Sequence, residues 1–120
     1  MARIMIVDDE AELLTLYSEM IEVFGHEIIA AVKNGEDAIK TYGELDTKPD
    51  LIILDHRMPI RNGLETAMEI LNMDPDEKII FISADSSIRR SALEIGAIGF
   101  LEKPFVLNTL REAIHGILGE

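Results

Sequence analysis

Residues 4–9 read Ile-Met-Ile-Val-Asp-Asp, a short run of large apolar side chains that stops at two acids. The same arrangement returns at 51–55, where Leu-Ile-Ile-Leu precedes Asp, and at 79–83, where Ile-Ile-Phe-Ile precedes Ser. Two further apolar runs occupy 28–32 and 98–101. Runs that are apolar at every position, rather than at alternate positions, indicate strands buried on both faces. The sequence therefore predicts five strands in a sheet that is covered on both sides.

The stretches between these runs show the spacing of amphipathic helices. The first stretch stops at Gly25, and Asn34 is placed to cap the second. The fourth, at 86–95, is the least amphipathic and stops at Gly96. Strands and helices that alternate at this length predict one α/β domain over 1–120, with a five-stranded parallel sheet doubly wound by five helices. The pattern does not fix the order of the strands.

The chain is strongly acidic, since 11 Lys and Arg stand against 23 Asp and Glu, a formal net charge of −12. A surface of this sign repels phosphate backbones and anionic lipids, so we expect no direct binding to nucleic acid or membranes. The absence of Cys excludes a disulfide scaffold and a thiolate metal site. The sequence shows no signal peptide and no membrane span, which predicts a cytoplasmic protein. Three histidines without metal-ligand spacing are expected at the surface: His26, His56 and His115.

Polar residues follow four of the apolar runs at the point where each ends: Asp8 with Asp9, Asp55, Ser83 and Lys103. Any one of them alone would be interpreted as a helix cap or a solvated charge. Because the carboxyl ends of parallel strands share one edge of the sheet, we expect the set to converge. Clustered carboxylates suit a hard cation such as Mg²⁺, an Asp can attack phosphorus, and a Lys can pair with phosphoryl oxygens. The set indicates phosphoryl transfer.

On these residues the sequence resembles the receiver domain of two-component response regulators, the CheY-like family, whose fold is flavodoxin-like. The resemblance covers essentially the whole chain and rests on an ordered series of motifs: Asp8-Asp9, Asp55, Met58-Pro59, Gly63, Ser83-Ala84 and Lys103-Pro104-Phe105. It implies a phosphorylation-activated signalling module that accepts a phosphoryl group from a sensor histidine kinase or a histidine phosphotransfer protein. Such a module is no enzyme toward other substrates and catalyses only its own phosphorylation and dephosphorylation.

The resemblance assigns the phosphoryl-accepting and metal-binding roles as follows. Asp55 would be the phosphorylated residue. Asp9 and Asp55 would bind Mg²⁺ through their side chains, Asp8 mainly through water, and Arg57 through its backbone carbonyl. The resemblance also implies that Mn²⁺ or Ca²⁺ could substitute for Mg²⁺.

It also implies how the phosphoryl group is held and detected. Ser83, Ala84 and Lys103 would contact the group, with the Lys103–Pro104 peptide bond in the cis form. Ser83 and Phe100 would form a switch, in which Ser83 moves toward the phosphate and the ring takes the vacated space. This movement would repack the switch face, which we define as the fourth helix, the fifth strand and the fifth helix.

We expect a downstream protein partner at the switch face, and either a monomer or a homodimer promoted by phosphorylation. Five charged residues on or near that face offer contacts: Arg89, Arg90, Glu102, Arg111 and Glu112. The sequence contains no effector domain, which leaves either a stand-alone regulator or a receiver from a longer protein.

Two further positions bear on the lifetime of the phosphorylated state. Arg57 lies two residues after Asp55, and Asp85 lies two residues after Ser83. We hypothesise that Arg57 and Asp85 pair at the mouth of the site and limit the access of hydrolytic water. The alternative is two solvated charges with little energetic effect.

Two other functions compete with the receiver interpretation. A haloacid-dehalogenase-like phosphatase also uses an Asp nucleophile at a strand end, with Mg²⁺ and Lys. That class needs a second Asp two residues later as general acid, where this chain has Arg57. A flavodoxin-like cofactor binder would need a phosphate-binding loop rich in Gly, Ser or Thr, and none follows Val7.

Overall fold

Five strands form one parallel sheet in the computed structural model, which describes residues 1–119. The strands are β1 (Arg3–Val7), β2 (Glu27–Val32), β3 (Leu51–Asp55), β4 (Ile79–Ser83) and β5 (Gly99–Glu102). Their order across the sheet is β2-β1-β3-β4-β5, and each neighbouring pair is parallel. In this doubly wound order the direction of winding reverses at β1 and β3, and ligands bind at the carboxyl edge beside that point. The predicted fold class is confirmed.

Five helices connect the strands: α1 (Ala11–Val23), α2 (Gly35–Glu44), α3 (Gly63–Met73), α4 (Arg89–Glu94) and α5 (Leu107–Leu118). The predicted fourth helix at 86–95 is too long, because a 3₁₀ turn at Ser86–Ile88 precedes α4. The Asp85 side chain accepts a hydrogen bond from the Ser87 N–H at 3.1 Å, which closes a tight turn before the α-helix begins. Within residues 1–119, no helix has the length and apolar composition needed to cross a bilayer.

The strand side chains alternate between two apolar cores, one on each face of the sheet. Ile4 and Ile6 of β1 lie in the core that α1 and α5 cover, while Met5 and Val7 lie in the core that α2, α3 and α4 cover. All four side chains are fully buried. Because each strand contributes to both cores, the central strands are apolar at every position, as the sequence pattern indicated.

Helix ends carry the predicted capping residues and one more. Asn34 accepts a hydrogen bond from the Asp37 N–H at 2.8 Å at the start of α2, which confirms the predicted cap. At the start of α3, Asn62 and Glu65 form a reciprocal capping box, in which each side chain accepts from the other residue's N–H. Gly25, with φ of 98°, follows the end of α1 in the left-handed conformation that glycine tolerates.

The surface location predicted for His26 is wrong. Gly25 turns the chain beneath α1, and His26 is only 4% exposed at the start of β2. Its Nδ1 accepts a hydrogen bond from the Ala2 N–H at 3.1 Å, and its Nε2 lies 3.0 Å from the Nε2 of His115. A buried backbone N–H must find an acceptor, and His26 supplies it. His56 and His115 are partly exposed.

Candidate functional site

Four strands end in polar residues that lie side by side along the carboxyl edge of the sheet. Asp8 follows β1, Asp55 and Ser83 are the last residues of β3 and β4, and Lys103 follows β5. Because β1, β3, β4 and β5 are consecutive neighbours in the sheet, these residues meet although they are distant in sequence. Asp8, Asp55 and Ser83 are buried, and Lys103 is half-buried. The sheet order thus produces the convergence that the strand endings indicated.

The Lys103 side chain links the ends of β1 and β3. Its Nζ lies 3.0 Å from Asp8 Oδ2, to which it donates a hydrogen bond, and 3.7 Å from Asp55 Oδ2. Its backbone N–H donates to the Ser83 carbonyl at 2.8 Å, and the Lys103–Pro104 peptide bond is cis. Hydrogen bonds from both the backbone and the side chain of Lys103 therefore hold its ammonium group between the carboxylates of Asp8 and Asp55.

The burial of these charges shifts the pKa values of both Asp55 and Lys103. Burial is the main cause that raises the pKa of Asp55 to about 6; Lys103 opposes the shift, and the nearby Asp8 and Asp9 contribute to it. Burial by itself would lower the pKa of Lys103, but the nearby carboxylates of Asp55 and Asp8 outweigh it and raise the pKa. The positive charge of Lys103 thus does not neutralise the three neighbouring carboxylates of Asp8, Asp9 and Asp55.

Three consecutive acids offer oxygens at this edge to a cation. Carboxylate oxygens of Asp8, Asp9 and Glu10 all lie within 4.8 Å of one another. In the described chain this group includes Glu10 in place of Asp55, whose carboxylate faces Lys103 instead. Glu10 was not predicted as a site residue, although the sequence places it third in a run of acids directly after β1. An all-oxygen set beside a carboxylate of raised pKa fits a hard divalent cation, which would relieve the crowded negative charge.

The Ser83 hydroxyl is fully buried at the end of β4 and already has one partner. Its Oγ accepts a hydrogen bond from the Asp85 N–H at 3.0 Å. A hydroxyl can accept one bond and still donate its proton, so Ser83 keeps a donor for an incoming oxygen. The next residue, Ala84, is exposed and leaves the space beside this hydroxyl free of a large side chain.

Two aromatic residues border the site. Phe100 in β5 is partly buried against the core that α2, α3 and α4 cover, and it pairs with Phe81 across the sheet. Tyr17 of α1 is buried, and its ring stacks on Phe105 with centroids 5.8 Å apart. Burial raises the pKa of Tyr17, although the nearby Lys103 partly offsets the shift. Tyr17 was not predicted as a site residue, because its position in a helical pattern gives no sign of its proximity to Lys103.

Arg57 and Asp85 face each other across the mouth of the site, and their effect on the access of water stays a prediction. The Arg57 guanidinium lies 3.7 Å from Asp85 Oδ2, and the Arg57 side chain is 71% exposed. Hydrogen bonding to Ser87, followed by the nearby Arg57, lowers the pKa of Asp85. This contact is an exposed ion pair without a close hydrogen bond, so it contributes little to the stability of the fold. Its interest lies in its location at the mouth of the site.

The loop after Asp55 is held tightly against the strand end. The Gly63 N–H donates to the His56 carbonyl at 2.8 Å, and a Cβ at Gly63 would lie 2.5 Å from the Asp55 carbonyl oxygen. Only glycine permits this approach of the start of α3 to β3. His56 accepts a long hydrogen bond from the Leu64 N–H at 3.4 Å, and burial lowers its pKa. His56 therefore supports the loop and does not point to catalysis.

Comparison with known proteins identifies the family. Residues 4–115 match the family model described as the response regulator receiver domain. The chain belongs to this family. It is similar to the chemotaxis protein CheY of Thermotoga maritima, with 35% identity over 117 residues that cover 96% of each chain. It is also similar to the transcriptional regulatory protein PrrA of Mycobacterium tuberculosis, with 34% identity over 97% of this chain and 49% of PrrA.

Solved receiver structures agree with this assignment. The response regulator TrrA of Thermotoga maritima, in complex with Mg²⁺ and BeF, matches with a TM-score of 0.87 and 37% identity, over 98% of this chain and 99% of TrrA. CheY of Borrelia burgdorferi, from a complex with CheX, BeF₃ and Mg²⁺, has the same fold, with a TM-score of 0.91 at 24% identity. The chain thus matches nearly the whole length of CheY and TrrA of Thermotoga maritima, but about half the length of PrrA.

Proposed function

We propose that this receiver accepts a phosphoryl group on Asp55 from a sensor histidine kinase or a histidine phosphotransfer protein in the cytoplasm. The proposal depends on one observation: the buried Asp55 carboxylate lies 3.7 Å from Lys103 Nζ, at the ligand-binding edge of the sheet. Membership of the receiver domain family supports the proposal. The chain would act on no other substrate and would catalyse only its own phosphorylation and dephosphorylation.

The positions of the site residues support a mechanism of phosphoryl transfer. An Asp55 oxygen forms the new O–P bond while the N–P bond to the donor imidazole breaks, and the imidazole nitrogen takes up a proton. Lys103 is placed to pair with an oxygen of the transferred group, and its 3.0 Å contact with Asp8 keeps it at the site. Asp8, Asp9 and Asp55, with the Arg57 backbone carbonyl, would hold Mg²⁺, or Mn²⁺ or Ca²⁺ in its place, to neutralise charge on the phosphoryl oxygens.

The signal would leave the site through Ser83 and Phe100. Ser83 would turn its hydroxyl toward the new phosphoryl oxygens, and the ring of Phe100 would move into the space released. This repacks the switch face of α4, β5 and α5, where a downstream protein would bind, and phosphorylation would either leave a monomer or promote a homodimer. The short α4, with Ala92 as its only buried residue, is a lightly anchored element that suits such movement. We propose no direct contact with nucleic acid or membranes.

The test uses acetyl phosphate as a small-molecule donor. Intact-mass spectrometry of the full chain with acetyl phosphate and Mg²⁺ should show the gain of one phosphoryl group, and EDTA should prevent it. Asp55→Asn should abolish the gain, because an amide is not a nucleophile toward phosphorus. Asp76→Asn is the matched control, since Asp76 is an exposed acid outside the site.

Two outcomes would overturn the proposal. A phosphoryl group that remains in Asp55→Asn would place the modification elsewhere. Steady turnover of diverse phosphate esters without a stable adduct would favour the phosphatase alternative, whose general acid is replaced here by Arg57, paired with Asp85.

A further inference from the structure

Ile60, in the loop between β3 and α3, has a backbone conformation that its side chain disfavours. Its φ is 72°, and no other residue except glycine has a positive φ within residues 1–119. The Arg61 N–H donates to the Pro59 carbonyl at 2.8 Å, so the three residues form a γ-turn centred on Ile60. A branched side chain is disfavoured in this region, which glycine and asparagine tolerate.

The side chain of Ile60 does not offset this cost within the fold. It is 76% exposed and belongs to neither apolar core. An exposed apolar group on a strained turn gains neither burial nor favourable backbone conformation. Strain that the fold does not explain is a reason to look for a function of the residue.

The turn is fixed on both sides, so Ile60 is presented in one position. Before Ile60, the proline ring fixes the φ of Pro59; after it, the Arg61 side chain donates to Glu36 of α2 at 2.9 Å. Asn62 begins α3 through its capping box with Glu65. A preorganised apolar group loses little conformational entropy when another surface covers it.

Ile60 belongs to the loop that follows the reacting residue, Asp55. It is five residues after Asp55, on a loop that leaves the carboxyl edge of the sheet. Among the large apolar residues exposed within residues 1–119, only Ile60 and Val106 lie on loops at this edge. Val106, which is 69% exposed, comes three residues after Lys103. The two apolar groups therefore stand on the loops that follow Asp55 and Lys103.

We propose that Ile60, with Val106, anchors the docking of the protein that delivers the phosphoryl group to Asp55. The inference rests on the proposed function and adds to it the surface that the donor binds. A protein donor must bring its phosphohistidine to a carboxylate that is only 4% exposed, so the loops around the mouth have to be covered during transfer. The fitting donor presents an apolar patch beside its histidine. It also carries basic side chains opposite the exposed acids Asp9, Glu10 and Glu12.

The experiment separates protein donors from acetyl phosphate. A panel of purified, radiolabelled histidine kinases and phosphotransfer proteins is first used to find the member that transfers fastest to the unaltered chain. Transfer from this donor to Ile60→Asn and to Ile60→Gly is then compared with transfer to the unaltered chain. Both substitutions suit a positive φ and remove the apolar side chain. With the protein donor, kcat/KM should fall about tenfold, which is typical of an interface anchor residue. The rate with acetyl phosphate should stay unchanged, and the thermal midpoint should not fall.

Val23→Asn is the matched control, because Val23 is 75% exposed but ends α1 at the opposite edge of the sheet. It should leave both rates unchanged. Equal transfer to Ile60→Asn, Ile60→Gly and the unaltered chain overturns the docking proposal, as does transfer from no member of the panel. In both cases phosphorylation by acetyl phosphate still supports Asp55 as the acceptor. Failure of acetyl phosphate to modify Asp55 would instead count against the proposed function itself.

Discussion

Asp55 is a carboxylate that the fold holds in an unfavourable electrostatic position. It is buried, it lies near Asp8 and Asp9, and the cation beside it, Lys103, is hydrogen-bonded to Asp8. Its pKa of about 6 shows that ionisation costs free energy in the metal-free chain. Because its negative charge is incompletely neutralised, the Asp55 carboxylate favours the binding of a cation. A perturbed pKa of this kind is also typical of a reactive group.

The first prediction concerns the stability of Asp55→Asn without metal. A raised pKa in the folded state means that stability is complete at low pH and is lost as pH rises through about 6. Asp55→Asn cannot ionise, so in EDTA it should be more stable than the unaltered chain by about 1–2 kcal/mol near pH 8, with the gain fading below about pH 4. Urea unfolding at both pH values measures it. Asp76→Asn should show no such gain, and an Asp55→Asn chain that is less stable near pH 8 contradicts the expectation.

The second prediction concerns Arg57 and Asp85 at the mouth of the site. If their pairing limits the access of water, Arg57→Ala and Asp85→Asn should both shorten the lifetime of phosphorylated Asp55 several-fold. Asp85→Asn is chosen because asparagine can still cap the Ser86–Ile88 turn. The loss of label from the isolated phosphorylated chain gives the rate.

Arg90→Ala serves as the control for this experiment, because the exposed Arg90–Glu94 ion pair, at 3.2 Å, lies within α4 and outside the mouth. Unchanged lifetimes in both Arg57→Ala and Asp85→Asn would leave the two residues as solvated surface charges. A shorter lifetime in Arg90→Ala as well would point to a general effect of surface charge.

At the scale of elements, the start of α3 connects helix stability to the site. Gly63 packs against the Asp55 carbonyl, and Asn62 caps the helix one residue earlier. Asn34 caps α2 with the same type of hydrogen bond, but α2 follows β2, which is the outermost strand of the sheet and is not adjacent to β3. The two caps are therefore matched in chemistry and different in location.

The third prediction compares Asn62→Ala with Asn34→Ala. Each should lower the free energy of unfolding by about 1 kcal/mol, because each removes one side-chain cap. Asn62→Ala should slow phosphorylation by acetyl phosphate more than Asn34→Ala does, since a frayed start of α3 loosens the loop behind Asp55 directly. Urea unfolding and the rate of mass gain measure the two effects. Equal slowing in both variants would show that the rate follows global stability.

The sequence predicted those features of the fold that local patterns determine. Apolar runs ending in Asp55 and Lys103 identified strands and strand ends, because burial on both faces leaves a clear compositional signal. The strand order, the burial of His26 and the contact between Tyr17 and Phe105 depend on residues distant in the chain, which no local pattern reveals. The Ser86–Ile88 turn was missed because the Asp85 cap competes with helical spacing.

At the scale of the whole molecule, a second set of buried ionisable groups lies at the amino edge of the sheet. The Tyr42 hydroxyl at the end of α2 lies 2.9 Å from Glu77 Oε1 and 3.3 Å from Asp74 Oδ2. It has one proton and can donate it to only one of these carboxylates. Burial and both acids raise the pKa of Tyr42, so it remains a donor. This cluster ties α2 to the segment before β4, at the opposite edge from Asp55.

The fourth prediction follows from the sign of the Glu77 shift. Burial raises the pKa of Glu77, and the hydrogen bond from Tyr42 partly offsets that rise. Stability is therefore lost as pH rises through the pKa of folded Glu77, and Tyr42→Phe should enlarge that loss. We expect Tyr42→Phe to cost about 1–3 kcal/mol near pH 8, where a buried carboxylate loses its donor, and clearly less at acidic pH, where Glu77 is protonated. Urea unfolding across this range measures the difference.

Tyr17→Phe is the matched control, because Asp8 and Asp55 act on Tyr17 through space and without a hydrogen bond. Its cost should not grow with pH, and a cost of Tyr42→Phe that is constant with pH would contradict the role of Glu77. Tyr42→Phe should also leave phosphorylation by acetyl phosphate unchanged, since the central strands separate the two edges by their full length. Such a result would show that the hydrogen bond between Tyr42 and Glu77 stabilises the fold without influencing the reaction at the opposite edge.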